Sequence, residues 1–318
     1  MSYDFALITT TYNRFTQINK LLQNVSKLLN NSKLNIQYIV SDNGSTDQTD
    51  KVITKFIKNN PRLQISYYRH EHNIGATTNI FFLASKVSAP YFWHISDDDI
   101  INIKSIDSIV QNLNDNYYPL VICRVNGIQE WESIAQQNKT LEIIKTDPSL
   151  SKNCSYLYAG GFLASNIYNK KEWDISLEYS SQLISTEYGH WAALLDIVGR
   201  SNFFGLIDFP CILGNINMIG QSTIPVYSVL IKGRIVVWNS IRNVKIKNNL
   251  EPYIVKFLIR PFARMLCGKN PILKKRLDII REFKYLYMLS GLKIFRFSLY
   301  FLYALVIPIK LRLQITTR

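Results

Sequence analysis

The chain has 318 residues, and at about 100–200 residues per domain this length predicts two domains, or one large domain with an appendage. Hydrophobic residues make up 47% of the chain and charged residues 19%, which excludes wholesale disorder and the collagen-like and coiled-coil classes. The formal net charge is +14, and the four cysteines are scattered without a Cys-x-x-Cys pair, which argues against a zinc site or a disulfide framework.

Strands and helices are predicted to alternate over the first 125 residues. Short apolar runs predict strands, and apolar residues that recur at intervals of three and four predict helices. The predicted strands are 5–8, 36–40, 63–68, 91–95 and 120–125. The predicted helices are 18–29, 52–57, 80–87 and 103–113. This alternation is typical of βαβ units, so we expect an α/β fold with a Rossmann-like, mostly parallel sheet flanked by helices.

The rest of the chain is less regular. Residues 126–230 show a predicted turn at 159–162 and a predicted helix over 187–198. From residue 226 onward we expect amphipathic helical segments that Pro252 and later prolines and glycines interrupt. The predicted organisation is therefore a domain over 1–225 and a basic helical extension over 226–318.

Clusters of polar residues follow the first four predicted strands. They are Thr9-Thr10-Thr11-Tyr12-Asn13-Arg14, Ser41-Asp42-Asn43-Gly44-Ser45-Thr46-Asp47, His72-Asn73-Ile74-Gly75-Ala76-Thr77-Thr78-Asn79 and Ser96-Asp97-Asp98-Asp99. One such cluster is explained by an ordinary turn with a helix cap. Four clusters in register predict a ligand site, because open α/β sheets bind ligands at the carboxyl ends of their strands.

The aspartate triplet Asp97-Asp98-Asp99 is the strongest chemical signal. Adjacent carboxylates repel one another unless a cation or solvent screens their charge. Mg²⁺ and Mn²⁺ take oxygen ligands and commonly bridge carboxylates to the phosphates of a substrate. The alternative is an exposed acidic turn that caps the next helix, and the three other clusters favour the divalent cation.

In order and spacing, the four clusters resemble glycosyltransferase family 2 with the GT-A fold, over roughly the first 125 residues. Within that family the second and third clusters are similar to O-antigen and capsule sugar transferases, including abequosyltransferase-like members. The resemblance implies a nucleotide-sugar half over 1–125 and an acceptor half over 126–225. Ser96 stands where many members carry the first aspartate of Asp-x-Asp-Asp, which leaves the principal metal ligand open.

The resemblance also implies which residues contact the donor nucleotide. Thr10, Tyr12 and Arg14 line the nucleotide pocket, with Tyr12 near the base. Asp42 accepts a hydrogen bond from the base, and Asp47 supports the same loop.

For the sugar and the diphosphate, the resemblance implies contacts from the third and fourth clusters. The floor under the nucleotide sugar is shaped by Asn73, Gly75 and Asn79. Asp97 approaches the ribose or the metal, whereas Asp98 and Asp99 bind the metal. A divalent cation there stabilises the charge that develops on a nucleoside diphosphate leaving group.

An inverting transfer needs a general base that takes the proton of the acceptor hydroxyl. In the family this base is an acidic residue of the second half, and Glu187 fits that place although Tyr188 replaces the aspartate that often follows. His190 is the alternative, since its unperturbed pKa of about 6.5 suits a base. Asp196 is a third candidate, and each residue also has an ordinary structural explanation. Gly160-Gly161-Phe162 resembles an acceptor-side glycine turn.

The C-terminal region carries the positive charge of the chain. Residues 232–318 hold 19 lysines and arginines against three acids, whereas residues 1–231 hold 18 basic and 20 acidic residues. This asymmetry favours an anionic membrane surface as a partner, because basic helices rich in aromatic residues bind such interfaces. The apolar run 297–309 is shorter than the ~20 residues that a spanning helix needs, so we expect at most a monotopic anchor. A helical cap with a solvated basic face is the alternative.

Two hypotheses from different classes follow. The first is an inverting, metal-dependent glycosyltransferase that uses a nucleoside-diphosphate sugar and a glycan acceptor, such as a polyprenyl-diphosphate-linked O-antigen or capsule unit. We expect it in the cytoplasm, on the inner face of the cell membrane, because no secretory signal precedes the first strand. The second is a non-catalytic membrane-surface or nucleic-acid-binding protein with a degenerate nucleotide-binding domain, although the basic region matches no nucleic-acid reader motif. A nucleotidyltransferase is disfavoured, because no glycine-rich loop follows the first strand.

Overall fold

The computed structural model describes residues 2–102, 106–126, 141–213 and 232–254. Within these residues nine strands form a single sheet. The strands are β1 (Phe5–Thr11), β2 (Ile36–Asp42), β3 (Ile65–Arg69), β4 (Tyr91–His94), β5 (Ile100–Ile101), β6 (Leu120–Asn126), β7 (Ile144–Thr146), β8 (Asn166–Asn169) and β9 (Phe204–Leu213).

Helices connect and follow these strands. They are α1 (Phe15–Asn31), α2 (Thr49–Asn59), α3 (Ala76–Ser85), α4 (Ile106–Asp115), α5 (Cys154–Ala159), α6 (Lys170–Ser180), α7 (Gly189–Ser201), α8 (Lys232–Ser240) and α9 (Val244–Ile254). A 3₁₀ segment, Ser181–Thr186, connects α6 to the residues before α7.

The sheet has the order β3-β2-β1-β4-β8-β6-β9-β5, and β7 pairs with β9. Parallel pairing joins β1 to β2 and β4, β2 to β3, and β6 to β9. β8 runs antiparallel to both β4 and β6, between which it lies. β5 and β7 also run antiparallel, each against β9. Within the described residues, six of the nine strands thus share one direction, and the short strand β8 runs against them inside the sheet.

The sequence pattern explains the core. All seven residues of β2 are buried, as expected of a central strand that is covered on both faces. Helix α1 buries the apolar residues that recur at helical spacing, and leaves its polar side chains toward solvent. Each such residue contributes about 1.5–3 kcal/mol when fully buried. The buried positions of α1 are Ile18, Leu21, Leu22, Val25 and Leu28.

An aromatic cluster fixes the antiparallel strand. The rings of Phe92 on β4 and Tyr168 on β8 stack with their centroids 5.4 Å apart. Trp173 at the start of α6 packs edge-on against both rings, at 5.3 and 4.8 Å. Contacts of this kind add about 0.5–1.5 kcal/mol beyond area burial.

The strands and helices predicted over the first 125 residues are confirmed in type, with shifted ends. α3 begins at Ala76, four residues before the predicted start, because Gly75 supplies a left-handed φ of 92° directly before the helix. The predicted helix over 187–198 begins at Gly189. β8 and β9 are additions that the sequence pattern did not reveal, and they bring residues of the less periodic region into the same sheet.

The expectation that Pro252 interrupts the C-terminal helices is wrong for α9, which runs through Pro252 to Ile254. Proline there removes one backbone N–H donor, and α9 continues past it. In the described part of the chain, no helix is long and apolar enough to cross a membrane. The run 297–309 and most of the extension over 226–318 lie outside the described residues, so the anchor and the domain boundary stay predictions.

Candidate active site

The loops that follow β1, β2, β3 and β4 lie side by side along one edge of the sheet. The parallel register pairs Thr11 with Asp42 and Asp42 with Arg69. On the other side of β1 it pairs Ile8 with His94. The carboxyl ends of these strands are therefore adjacent, so the four polar clusters meet in space at the edge where such sheets bind ligands.

The first two loops are bonded through Asn13. This residue has a left-handed φ of 52°, which asparagine tolerates better than most residues. Its backbone N–H donates to Ser45 Oγ at 2.9 Å, and its Oδ1 accepts from the Thr46 N–H at 2.8 Å. These two hydrogen bonds therefore join the β1 loop to the β2 loop.

Asp47 lies at the start of two helices. Its Oδ1 accepts from the Thr49 N–H at 2.9 Å, and its Oδ2 accepts from the Phe15 N–H at 3.4 Å. Slight burial acts to raise the pKa of Asp47, but these hydrogen bonds outweigh it and the pKa is lowered. The Arg14 N–H donates to Thr49 Oγ1 at 3.1 Å, so α1 and α2 begin from one bonded corner.

The second and third loops are joined by a pair of asparagines. Asn43 Nδ2 donates to Asn73 Oδ1 at 3.0 Å, and Asn43 Oδ1 accepts the N–H that follows Asn73 at 3.0 Å. Asn73 Oδ1 also accepts from the Gly75 N–H at 2.8 Å. Gly44 has φ 77°, and a Cβ there would lie 2.6 Å from the carbonyl carbon of His72, so this approach requires glycine.

Asp42 is completely buried beneath these loops. Its Oδ1 accepts from the Ser45 N–H at 2.9 Å. Its Oδ2 accepts from the Tyr67 hydroxyl at 3.4 Å and lies 3.5 Å from Arg69 Nε. Both oxygens of Asp42 therefore already contact residues of this chain. The hydrogen bond between Asp42 and a nucleotide base stays a prediction.

Asn79 of α3 is also buried, under the end of β2. Its Oδ1 accepts from Ser41 Oγ at 2.6 Å and lies 3.1 Å from His70 Nε2. Among the described residues its Nδ2 atom has no hydrogen-bond partner. Asn79 thus lies next to the loops, and its contact with the nucleotide sugar stays a prediction.

Asp97 and Asp98 share one cation, the guanidinium of Arg14. Arg14 Nη1 donates to Asp97 Oδ1 and to Asp98 Oδ2, each at 2.9 Å. Thr11 Oγ1 donates to the second oxygen of Asp97 at 2.7 Å. Burial raises the pKa of Asp97 to about 6 even though Arg14 and Thr11 act to lower it. Both oxygens of Asp97 are thus engaged by its own chain.

Asp99 turns back into its own loop. Its Oδ2 accepts from the Ser96 N–H at 3.0 Å, while the Asp99 N–H donates to the Ser96 carbonyl at 3.1 Å. Burial and then the charge of Asp98 raise the pKa of Asp99 to about 7. This carboxyl closes the turn, and its role as a metal ligand remains a prediction.

Thr10 and Tyr12 complete the first loop. Thr10 Oγ1 lies 3.1 Å from Nε2 of His94, a buried histidine whose pKa burial lowers to about 3. Tyr12 has 41% of its surface exposed, so its ring is accessible for stacking on a base. Burial thus keeps His94 neutral.

The acids present fit a divalent cation that takes most of its ligands from a substrate. In the described residues no three His, Cys, Asp or Glu side chains converge on a common point. Asp98 is 25% exposed, and only its Oδ2 has a hydrogen-bond partner within the described ranges. Mg²⁺ is often held by one or two carboxylates plus substrate phosphates and waters, which matches this arrangement.

Glu187 faces the start of α3 from the other side of the site. Its Oε2 accepts from the Thr77 N–H at 3.3 Å and from Thr77 Oγ1 at 3.2 Å. No described residue donates to its Oε1. Glu187 has a left-handed φ of 62°, a conformation that non-glycine residues adopt at some cost. The half-buried carboxylate therefore lies at the N-terminal end of the helix that the Asn73–Gly75 loop begins.

His190 is buried and is the second residue of α7. Its Nε2 lies 3.2 Å from the Gly161 carbonyl oxygen, and its Nδ1 has no hydrogen-bond partner among the described residues. Burial lowers the pKa of His190 to about 4, and the charge of Arg234 acts in the same direction. Asp196, the third candidate base, accepts from Arg200 Nε at 2.9 Å in an i,i+4 pair on α7.

Helix α8 packs directly against the Glu187 segment. A Cβ on Gly233 would lie 2.2 Å from the Thr186 carbonyl oxygen, so only glycine permits this approach. The Arg234 guanidinium lies over the rings of Tyr158, Tyr188 and Trp191, at 4.9, 5.0 and 5.9 Å from their centroids. Such cation–π contacts contribute about 0.5–2 kcal/mol each.

The predicted glycine turn follows α5 and contacts Arg234, the residue that lies over the three aromatic rings. The Gly161 N–H donates to the Tyr158 carbonyl at 3.1 Å, and a Cβ on Gly161 would lie 3.2 Å from Arg234 Nη2. Gly160 faces Leu194 of α7, where a Cβ would meet Cδ1 at 2.6 Å. The turn therefore packs closely, whatever its part in binding an acceptor.

Sequence reasoning missed three supporting residues. Thr11 donates a hydrogen bond to Asp97, and Thr77 donates one to Glu187. Arg234 lies over the ring of Tyr188, directly before α7. Thr11 and Thr77 lie inside the polar clusters, so the clusters themselves carry a signal for them. Arg234 is one basic residue among many in its region and has no local signal.

The sequence profile of the family described as Glycosyl transferase family 2 matches residues 6–170. A curated relative is the abequosyltransferase RfbV of Salmonella typhimurium, which is 27% identical over 204 residues. That match covers 59% of this chain and 59% of the relative.

Solved structures share the fold. TarS of S. aureus superposes with a TM-score of 0.61 at 15% identity, over 92% of this chain and 50% of TarS. A mannosyltransferase of Pyrobaculum calidifontis, crystallised with GDP-Man and Mn²⁺, superposes with a TM-score of 0.57 at 13% identity, over 96% and 87% of the two chains. The predicted GT-A fold is thereby confirmed.

Proposed function

The chain belongs to glycosyltransferase family 2, and on this basis we propose that it transfers a sugar from a nucleoside-diphosphate donor to a hydroxyl of a glycan acceptor. The observation that carries the proposal is the presence of carboxylates both at the strand ends and at the start of α3. Asp97 and Asp98 stand at the strand ends, and Glu187 is bonded to Thr77 at the start of the helix that the donor-side loop begins. Donor-side and acceptor-side acids thus share one bonded framework.

The strand-end loops supply the donor side. Tyr12 offers an exposed ring for the nucleotide base, and Nε and Nη2 of Arg14, which have no hydrogen-bond partner among the described residues, suit phosphate oxygens. Asp98 would hold a divalent cation, since one of its oxygens has no partner in the described part of the chain. When bound, the cation supplies electrostatic stabilisation of the departing diphosphate.

Glu187 is the better candidate for the general base. Its Oε1 is open, whereas the hydrogen bonds to Oε2 fix the orientation of the carboxylate. His190 is buried, and its lowered pKa makes it a weak base. A base on the face opposite the diphosphate would invert the anomeric configuration of the transferred sugar.

The abequosyltransferase relative supports an acceptor of the O-antigen type. A polyprenyl-diphosphate carrier would present such an acceptor at the inner face of the membrane, and the 19 basic residues of 232–318 favour binding to that anionic surface. The proposed location is therefore cytoplasmic and peripheral.

Mass spectrometry of reactions with a panel of nucleotide sugars tests the proposal. The full chain is incubated with each donor, Mn²⁺ and a lipid-diphosphate saccharide acceptor, and Glu187→Gln serves as the matched control. We expect one donor to add a single sugar mass to the acceptor with the wild-type chain alone. Nucleotide binding without transfer from any donor, to a panel of such acceptors, would favour a non-catalytic nucleotide-binding protein.

A further inference from the structure

The guanidinium of Arg14 lies between two carboxylates at the strand ends. A single nitrogen, Nη1, donates to Asp97 and to Asp98, at 2.9 Å in both cases. The backbone of Arg14 is fixed as well, because its N–H donates to Thr49 Oγ1 and its carbonyl accepts from the Ile18 N–H. The side chain is 34% exposed, so it can leave the pair without unfolding the loop.

This nitrogen occupies the place that a cation would take between the two acids. With Arg14 in place, a divalent ion on Asp98 finds only the second oxygen, Oδ1, free of the guanidinium, and the charge of the ion would repel the guanidinium at short range. We propose that Arg14 acts as the resident cation of the nucleotide-free site and competes with the divalent ion for Asp97 and Asp98. The inference rests on the proposed function, since the ion and the nucleotide belong to that function.

The donor diphosphate shifts this competition toward the divalent ion. Within the described ranges, neither Nε nor Nη2 of Arg14 has a hydrogen-bond partner, so a fork of N–H groups remains available. Guanidinium groups bind phosphate oxygens in a bidentate geometry that lysine does not match. A diphosphate that draws Arg14 toward itself frees Asp98 for the ion. Nucleotide and ion therefore bind with strong positive coupling, and Arg14 is the positioning residue that creates it.

Manganese binding to the full chain, measured by the electron paramagnetic resonance signal of free Mn²⁺, tests this coupling. Without nucleotide, we expect Arg14→Gln to bind Mn²⁺ about tenfold more tightly than wild type, the scale of one lost charged hydrogen bond at a partly exposed site. Addition of UDP, CDP or GDP should tighten Mn²⁺ binding strongly in wild type, and much less in Arg14→Gln.

Arg69→Gln is the matched control. It removes the same charge from the end of β3, two strands away from β1, where Arg69 lies 3.5 Å from Asp42 and contacts neither Asp97 nor Asp98. We expect its Mn²⁺ affinity to stay within about twofold of wild type, as long-range charge effects are screened by salt.

Arg14→Lys keeps the charge and provides a second readout if the glutamine variant does not fold. It should bind Mn²⁺ like wild type, but should bind the nucleoside diphosphate more weakly in EDTA because it lacks the fork. Equal or weaker Mn²⁺ binding by a folded Arg14→Gln, or unchanged nucleotide affinity in Arg14→Lys, would overturn the assignment. A wild-type chain that binds no nucleoside diphosphate at all would instead contradict the proposed function.

Discussion

Substitution of Glu187 separates a catalytic carboxylate from a structural one. Its Oε2 caps α3 through Thr77, at 3.3 and 3.2 Å from the backbone nitrogen and Oγ1. Glu187→Gln keeps an oxygen acceptor at that place and loses only the charge near the helix N-terminus, so the free energy of unfolding should fall by about 0.5 kcal/mol. Glu187→Ala loses the cap as well, and should cost about 1 kcal/mol.

The effect on activity should be far larger than these stability losses. Removal of a general base lowers kcat by about 10²–10⁴-fold, so Glu187→Gln should lose most of its transfer rate while its Tm falls by less than about 3 °C. Initial transfer rates by mass spectrometry and thermal melts of the same samples measure both quantities. A glutamine variant that keeps kcat within tenfold of wild type would refute the assignment. If His190→Gln alone abolished transfer, the base would be His190.

Three further predictions concern stability and binding. Gly233→Ala forces a Cβ to within 2.2 Å of the Thr186 carbonyl oxygen, so the variant should lose about 1–3 kcal/mol of unfolding free energy in urea melts and should also have a lower kcat. Gly199→Ala is the control: its Cβ would lie 3.4 Å from Asn243 Cβ, so the free energy of unfolding should change by less than about 1 kcal/mol. His190 has a pKa lowered to about 4, so the stability it contributes is complete above its unfolded pKa of about 6.5 and is lost as pH falls toward 4. Between pH 8 and pH 5 the wild-type chain should therefore lose about 2 kcal/mol of unfolding free energy because of His190, and His190→Gln should not show this loss. The same pH dependence in the variant and the wild type would contradict a neutral, buried imidazole. Asp98→Asn should abolish the rise in Tm that Mn²⁺ and UDP together produce, with the Tm of the free protein within about 3 °C of wild type; a retained rise would exclude Asp98 as the ligand.

Local sequence patterns predicted the edge of the sheet at which the polar clusters meet. Buried parallel strands such as β2 read as short apolar runs, and the polar residues directly after them must lie at the carboxyl edge once the strands are parallel. Asp42, Asp97 and Asp98 were found in this way, since strand direction alone brings them to one edge.

The acceptor side could not be predicted to the same extent. β8 has only four residues with asparagine at both ends, and its place between β4 and β6 depends on the packing of Phe92, Tyr168 and Trp173. The bond between Thr77 and Glu187 joins residues 110 positions apart. Such contacts are set by tertiary packing, and no pattern within either segment carries them.

The resemblance to a known family implied roles for single residues, and the structure adds the contacts that these residues make. The role of Asp99 as a metal ligand stays a prediction, and the structure adds that its carboxyl accepts the Ser96 N–H inside the loop. Arg14 was expected along the nucleotide pocket, and the structure adds its contacts with both aspartates. These contacts were beyond sequence reasoning because side-chain reach across two loops depends on the register of β1 against β4.

The most direct test of the account locates a bound ion in the site. Crystals of the full chain grown with UDP and Mn²⁺ would show the metal by its anomalous scattering. We expect a peak next to Asp98, with the diphosphate between that ion and Arg14 and with Arg14 withdrawn from the aspartate pair. A nucleotide bound elsewhere, with Arg14 still joined to Asp97 and Asp98, would contradict it.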